Sequence, residues 1–415
     1  MGGSFPGRRA LLKATAGAVL GGVGVSTWGL AEPAAVRLVR SKARGLEGIG
    51  DRVDPWLEVD AEALRFNAAA ISAKCGGVPV LSVLKCNAYG LDPAVVAPAL
   101  ESASAVWGYA VVKCGEAMEI RATGCRKPIV MLGDFATSDA IELQRNGVAL
   151  CTYSRESGPR FAELARKIGR AVAVHIKVDV GLGRLGVPFY EAPQWIADLI
   201  SSRVVNVQGI FCNLVEVESA TEHLDRFKSL VARMRDRGFR LGAAHAAASH
   251  AISHLPDSHL DMVRPGIMSY GVYADSTPPG FIELKVAHRL RGRVIRVQQL
   301  RPGDAVGYGQ RYVAKSPVWT ATVMCGWADG YSYVPGNGVQ VKIGERRYTL
   351  IARTANNTIV ELGDTCQVRE GDIATLVGPE PGLRPNELSL VSSGGADDGG
   401  YSQIGYAAAL PKFSR

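Results

Sequence analysis

Eight apolar, β-rich runs between residues 79 and 270 constrain the fold of this chain more than any other feature of its sequence. Most of them are separated by amphipathic stretches, among them 160–168, 194–200 and 223–235. The runs are 79–84, 106–112, 128–132, 148–153, 172–180, 204–211, 241–248 and 262–270. Apolar strands that alternate with helices indicate a parallel sheet that is buried on both faces. Eight such units in about 200 residues favour an α/β fold of the (β/α)8 TIM-like barrel type over an open sheet.

After Gly271 the pattern changes to short strands separated by turn-forming sequences. Strands are predicted at 291–297, 319–323, 339–343 and 349–351, and the turns contain Arg-Pro-Gly-Asp, Pro-Gly-Asn-Gly and Leu-Gly-Asp. We therefore predict that the barrel spans residues 51–275 and that a mostly β C-terminal domain spans residues 276–415. The opening segment, 51–60, is a further candidate to pair with the β domain.

The first 50 residues have the features of an export signal and a linker. Arg8 and Arg9 precede Ala-Leu-Leu-Lys, and eighteen uncharged residues that include five glycines then run to Ala31. Paired arginines before a weakly apolar stretch are typical of a twin-arginine signal, which we predict for residues 1–31. Residues 32–50 are basic and glycine-containing, as expected of a flexible linker. We expect a periplasmic or secreted protein; the alternative is an N-terminal anchor that is retained.

The net charge of +8 does not indicate a nucleic-acid-binding protein, because the charge is concentrated at one end. Seven Lys and Arg residues and a single acid, Glu32, lie within residues 1–46, which leaves +2 for the other 369 residues. A nucleic-acid-binding surface needs a basic stripe on the folded body. We expect a small-molecule substrate, no nucleic-acid partner and no membrane contact beyond export.

Lys85 closes the first predicted barrel strand, in the run Val-Leu-Lys-Cys-Asn-Ala-Tyr-Gly that ends at Gly90. Burial of a lysine is costly unless it is paired or deprotonated, and the C-terminal rim of barrel strands is where such enzymes hold their catalytic groups. A desolvated lysine is a nucleophile that forms covalent bonds with carbonyl groups. Tyr89 could present its hydroxyl to a phosphate. A lysine salt-bridged at the rim remains the alternative.

The run 84–90 resembles the pyridoxal-phosphate lysine motif of alanine racemases. Six further segments resemble motifs of that family in the same order: 52–67, 175–186, 245–249, 263–267, 303–312 and 326–331. The resemblance covers roughly residues 51–415. It implies a pyridoxal 5'-phosphate-dependent amino-acid racemase, an isomerase that acts as a homodimer with shared active sites.

The resemblance also implies a role for each residue at a matching position. Lys85 would hold the cofactor and act as one acid/base, while Tyr308, supplied by the other subunit, would act on the opposite face of the substrate carbon. Arg264 would bond the pyridine nitrogen, and His245 would connect Arg264 to Tyr308. Further positions would bind the cofactor phosphate (Tyr89, Ser249, Gly266, Ile267, Tyr401), the cofactor's phenolic oxygen (Arg184, with Lys177 nearby) and the substrate (Arg184, Asn356). No metal site is implied.

Several positions that would face the substrate differ from the family pattern. Asn213 stands where the family has a His, residues 355–357 (Ala-Asn-Asn) replace a Ser/Cys-Met-Asp run, and Ala248 replaces an Asn. Trp327 replaces a Tyr, and Tyr333 falls near the position of an Arg. Two alternatives therefore remain: another pyridoxal-phosphate reaction on the same fold (D-amino-acid aldolase, dehydratase or decarboxylase), or a non-catalytic protein that binds the cofactor or an amino acid.

One glycine-rich motif does not support a dinucleotide site. Residues 181–186 (Gly-Leu-Gly-Arg-Leu-Gly) match the pattern G-x-G-x-x-G and follow a strand. A single match is weak evidence, and this one follows the fifth predicted strand without paired mononucleotide-binding halves.

Overall fold

A computed structural model describes residues 49–215, 218–274, 277–393 and 410–414 of the chain. The predicted signal, the predicted linker up to residue 48 and Tyr401 lie outside these ranges.

Seven parallel strands form most of a barrel, which confirms the predicted fold class. They pair in the order β2-β3-β4-β5-β6-β8-β9. Their bounds are β2 (Val80–Val83), β3 (Val106–Val111), β4 (Ile129–Met131), β5 (Val148–Thr152), β6 (Val172–Asp179), β8 (Val205–Phe211) and β9 (Ala243–His245), and the two-residue β7 (Val187–Pro188) pairs with β6. Parallel bridges from Val263 to Val80 and from Arg264 to Ala248 close the ring. The eighth apolar run therefore completes the barrel through an irregular extended segment.

The helices that follow the strands begin earlier than the apolar pattern alone indicates. The stretches predicted at 160–168, 194–200 and 223–235 start at Ser157, Ala192 and Ala220, because the small and polar residues that open these helices carry little apolar signal. The bounds are α1 (Ala61–Lys74), α2 (Lys85–Tyr89, a single turn whose backbone is left-handed rather than α-helical), α3 (Pro93–Glu101), α4 (Cys114–Ala122), α5 (Thr137–Arg145), α6 (Ser157–Ile168), α7 (Ala192–Ser201), α8 (Ala220–Asp236), α9 (Ser249–His254) and α10 (Pro385–Ser392). No helix within the described ranges is long and apolar enough to cross a membrane.

The second domain is an antiparallel sheet that closes on itself. Its strands are β10 (His288–Leu300), β13 (Val318–Met324), β14 (Gln340–Ile343), β15 (Arg346–Arg353), β16 (Asn357–Gly363) and β17 (Ile373–Val377). The long strand β10 pairs with β17 through its first part and with β13 through its second, which joins the two ends of the sheet. Strand β1 (Trp56–Val59), the first strand of the described residues, lies between β10 and β18 (Lys412–Ser414), so the described part of the chain passes through this domain before entering the barrel.

A small hairpin projects from the β domain. It consists of β11 (Ala305–Val306) and β12 (Tyr312–Val313), joined by the loop 307–311 that carries Tyr308. Gly307 has a φ of 78°, a left-handed conformation that glycine adopts without strain.

Candidate active site

A cavity of about 1270 Å³ opens at the C-terminal ends of the barrel strands, the end at which barrel enzymes bind their substrates. Seven of the predicted site residues line it: Lys85, Tyr89, Arg184, Ser249, Arg264, Gly266 and Ile267. Asn213 and Lys177 line the same cavity, and Trp327, Gly330 and Ser332 of the β domain contribute to its wall. The rim positions that are far apart in sequence are thus brought into one site.

Lys85 begins an unusual backbone turn. Cys86, Asn87, Ala88 and Tyr89 all have φ between 50° and 58°, and none of them is a glycine. Left-handed conformations cost roughly 1–2 kcal/mol for each such residue, so this turn is strained. The turn places the Lys85 ammonium nitrogen 5.9 Å from the centre of the Tyr89 ring. Strained backbone is often concentrated at functional sites, where the surrounding structure holds it.

Backbone and hydroxyl groups converge beside Tyr89. The Gly266 amide donates to Ser249 Oγ over 2.9 Å, and a Cβ at Gly266 would lie only 2.2 Å from Tyr89 Oη. Because Gly266 has no side chain, its backbone can lie close to the Tyr89 hydroxyl, and a side chain at this position would block that approach. Neutral donors at the ends of the last two barrel strands are a common phosphate-binding arrangement, and the phosphate of pyridoxal phosphate fits this one.

Arg264 is held in the barrel by a buried hydrogen-bond chain. It is 3% exposed, donates to the carbonyls of Cys212 and Ala246, and lies 2.8 Å from His245 Nδ1. Since a guanidinium only donates, His245 Nδ1 must accept, and its Nε2 carries the proton. Nε2 then donates over 2.9 Å to His175 Nδ1. His175 accordingly carries its proton on Nε2, for which the described residues provide no partner.

Burial fixes the charges along this chain. Desolvation lowers the pKa of His175 to about 3 and that of His245 well below its ordinary value, with the Arg264 charge acting in the same direction. Desolvation also lowers the pKa of Arg264 to about 10, which still leaves it charged at neutral pH. Two neutral rings therefore support one permanent cation.

The expected connection from His245 to Tyr308 does not fit this arrangement. His245 bonds Arg264 as predicted, but its second ring nitrogen bonds His175 rather than facing a tyrosine hydroxyl. The Tyr308 side chain is 96% exposed and is not among the residues that line the cavity. Asn356 is likewise exposed outside the cavity.

Arg184 reaches the cavity from a loop that is ordered by one carboxylate. Asp179, the last residue of β6, accepts hydrogen bonds from the amides of Gly181, Leu182 and Gly183 at 2.9 Å. The glycine-rich motif thus binds its own aspartate rather than a phosphate. The spacing of Asp179 from these amides is that of an Asx turn, a signal that was present in the sequence.

The cavity is strongly cationic. Lys85, Lys177, Arg184 and Arg264 line it, and no Asp or Glu is found among its described lining residues. Lys177 is buried, which lowers its pKa, and its ammonium nitrogen lies 5.4 Å from the centre of the Phe211 ring. A ligand with a phosphate and a carboxylate, as pyridoxal phosphate with an amino acid would provide, matches this charge.

Comparisons with known proteins agree with this geometry. Residues 59–274 match the profile of the alanine racemase N-terminal domain, and residues 287–391 match that of the alanine racemase C-terminal domain. An alanine racemase from Desulfovibrio desulfuricans is 32% identical over 342 residues, which are 80% of this chain and 91% of that protein.

Two solved structures have the same fold. The alanine racemase of Clostridium difficile 630 has a TM-score of 0.79 and 25% identity, with 88% of this chain and 96% of that chain covered. The biosynthetic alanine racemase of Pseudomonas aeruginosa has a TM-score of 0.75 and 28% identity, with 88% and 100% covered. The sequence match over most of the chain and the rim geometry together place this chain in the alanine racemase family of pyridoxal 5'-phosphate-dependent enzymes.

Proposed function

We propose that the protein interconverts the L and D forms of an amino acid with Lys85 and Tyr308 as the two acid/bases. The observation that carries this proposal is the cationic cavity in which Lys85 lies beside the cradle formed by Tyr89, Ser249 and Gly266. Pyridoxal phosphate, when bound, supplies a conjugated ring that stabilises negative charge on the substrate carbon.

The chain's own residues divide the remaining work. The amino group of Lys85 would hold the cofactor and would move a proton on one face of the substrate carbon. Arg264 keeps its charge and would donate to the ring nitrogen of the bound cofactor; because it does not give up its proton, the ring would take up less negative charge, which would favour return of a proton to the same carbon. Arg184 offers a fork of donors to a carboxylate or to the phenolic oxygen.

The second acid/base comes from a second copy of the chain in this proposal. Tyr308 lies at a hairpin tip, and Val313 of the same hairpin is also exposed. Trp327 at the cavity wall is 57% exposed. Large exposed apolar and aromatic side chains such as these are typical of surfaces that bind another protein. A homodimer would cover them and bring Tyr308 to the partner's cavity.

The substrate is tested with a panel of L-amino acids, separated by chiral chromatography after incubation with the purified protein. The proposal predicts the D enantiomer of at least one of them, formed until both forms are equal. If the substrate is consumed and its enantiomer does not form, the activity is that of a lyase and not of a racemase. No turnover with a cofactor fixed to Lys85 would indicate a binding protein. The panel must extend beyond alanine because Asn213, at the cavity wall, departs from the family pattern.

We also propose export to the periplasm or beyond through the twin-arginine route. Changing Arg8 and Arg9 together to Lys retains the charge but removes the guanidinium pair that this signal requires. The precursor should then accumulate in the cytoplasm, as cell fractionation would show. Unchanged export of the double variant would refute this route.

A further inference from the structure

A carboxylate on a neighbouring helix accepts a hydrogen bond from the strained turn after Lys85. Glu116, in the first turn of α4, accepts the Asn87 amide on Oε1 over 3.0 Å. Its Oε2 accepts the amides of Val112 and Lys113, also over 3.0 Å each. The side chain is 5% exposed and makes no ion pair with the described residues. A single carboxylate thus joins the Lys85 turn to the end of the neighbouring barrel strand.

The direction of these bonds explains why a carboxylate occupies this position. All three partners are N–H donors, and an ionised carboxylate only accepts. A glutamine would keep one accepting oxygen, while its NH₂ group would face donors. An aspartate would keep both oxygens but is one methylene shorter, so it could not reach both sides at once.

We propose that Glu116 is a positioning residue for cofactor attachment: it holds the left-handed turn that presents the Lys85 amino group and the Tyr89 hydroxyl to one ligand. The inference rests on the proposed role of Lys85. Four consecutive left-handed residues persist only where the surrounding structure holds them, and the Asn87 bond to Glu116 fixes the middle of this turn. Loss of this bond should allow the turn to relax and move Lys85 away from its position.

Glu101 provides a matched control at the opposite end of the barrel. It also accepts three hydrogen bonds, from the amides of Arg126 and Lys127 and from the Tyr109 hydroxyl. Arg126 and Lys127 directly precede β4, at the end of the strands that is remote from the cavity. Glu101→Gln should therefore affect folding without affecting the cofactor.

The experiment compares Glu116→Gln, Glu116→Asp and Glu101→Gln with the unaltered protein. For each we would measure thermal unfolding without cofactor, the Kd for pyridoxal phosphate, the absorbance spectrum of the bound cofactor between pH 6 and 9, and the fraction fixed on Lys85 by borohydride. We expect Glu116→Gln to weaken cofactor binding at least tenfold, to shift the pH dependence of the spectrum and to lower kcat by about 100-fold, the usual cost of a misplaced catalytic group. Glu116→Asp should recover part of each loss, and Glu101→Gln should keep the Kd within twofold.

A second substitution tests the strain directly. Cys86 is exposed and has a φ of 56°, so Cys86→Gly removes strain from the turn without altering a buried side chain. Cys86→Gly in the Glu116→Gln background should restore part of the cofactor affinity. The proposal is overturned if Glu116→Gln binds and attaches the cofactor normally, or if it loses only stability, to the same extent as Glu101→Gln. Borohydride labelling of a different lysine in the unaltered protein would instead overturn the proposed role of Lys85 and this inference with it.

Discussion

The site residues of the barrel and the Tyr308 hairpin of the β domain differ in how many of their contacts a single chain provides. Arg264 and His245 are 3% and 0% exposed and have defined partners, whereas Tyr308 is 96% exposed at a hairpin tip. From this difference we expect cofactor binding to need only the barrel of one chain. We expect proton transfer on the second face to depend on a second chain, so the two properties should be separable by mutation.

The largest effect should come from the barrel side. Lys85→Ala removes the proposed point of attachment and one acid/base, so we expect racemisation to fall by at least ~10⁴-fold. The absorbance of the lysine-bound cofactor should be lost as well. Lys167→Ala, on the outer helix α6, is the control and should change neither property. If borohydride still fixes the cofactor on the Lys85→Ala protein, the cofactor is attached to a different lysine and the proposed role of Lys85 is wrong.

Tyr308→Phe tests the hairpin side and should have a smaller, one-sided effect. Loss of one positioned acid/base typically costs 10²–10⁴-fold, while the cofactor should bind as before. Exchange of the substrate's α-hydrogen in deuterated water should continue for the enantiomer that Lys85 serves. Tyr312→Phe, on the same hairpin, is the control. Equal loss of exchange for both enantiomers would show that Tyr308 has no preference for one face.

Gly266→Ala should weaken cofactor binding without removing the chemistry. The new Cβ would be placed 2.2 Å from Tyr89 Oη and would disturb the predicted phosphate cradle. Loss of one hydrogen bond to a charged group costs about 1.5–3 kcal/mol, or roughly 10- to 150-fold in the Kd of pyridoxal phosphate. Gly115→Ala is a suitable control, because a Cβ at Gly115 has no neighbour within 4 Å. An unchanged Kd in Gly266→Ala would place the phosphate at another position.

The buried histidines should make stability depend on pH. Burial lowers the pKa of His175 to about 3 and that of His245 well below its usual range, so both stay neutral in the fold. The unfolded chain takes up these protons below about pH 6.5 and therefore binds more of them. The free energy of unfolding should thus rise with pH up to about 6.5 and then level, with up to ~1.4 kcal/mol per pH unit from each ring.

His175→Gln sharpens this test because its amide oxygen can still accept from His245. The free energy of unfolding, measured with urea between pH 5 and 6, should rise with pH in this variant by about 1 kcal/mol per pH unit less than in the unaltered protein. The two slopes should coincide at pH 7.5. Equal slopes at low pH would mean that His175 is protonated in the folded state.

The sequence predicts the barrel better than the β domain for a physical reason. Strands buried on both faces need continuous apolar runs, and all eight runs lie in the barrel wall. Strand β16 was not predicted, because it alternates buried and partly exposed residues and starts at the second residue of an Asn-Asn pair, which resembles a turn. It pairs with β15 just before it in the chain and with β13, which lies more than 30 residues away and therefore leaves no local signal.

Within the site, the residues at the barrel rim could be predicted from motifs, whereas the backbone turn and the buried hydrogen bonds that hold them in place could not. The left-handed turn has no sequence signal, because Cys86, Asn87 and Ala88 adopt a conformation for which glycine is the usual residue. The bond between His245 and His175 joins residues 70 positions apart, on strands that are not adjacent in the barrel sheet. Only the folded barrel brings these two side chains together.

The central claim, that each complete site uses the barrel of one chain and the hairpin of another, is tested most directly by mixing two inactive variants. Lys85→Ala and Tyr308→Phe subunits, dissociated and reassociated in equal amounts, should form mixed dimers in which one of the two sites has both an intact Lys85 and an intact Tyr308. Random pairing makes half of the dimers mixed, so racemase activity should recover to about a quarter of that of the unaltered protein. Activity no higher than that of the two variants alone would contradict the shared site.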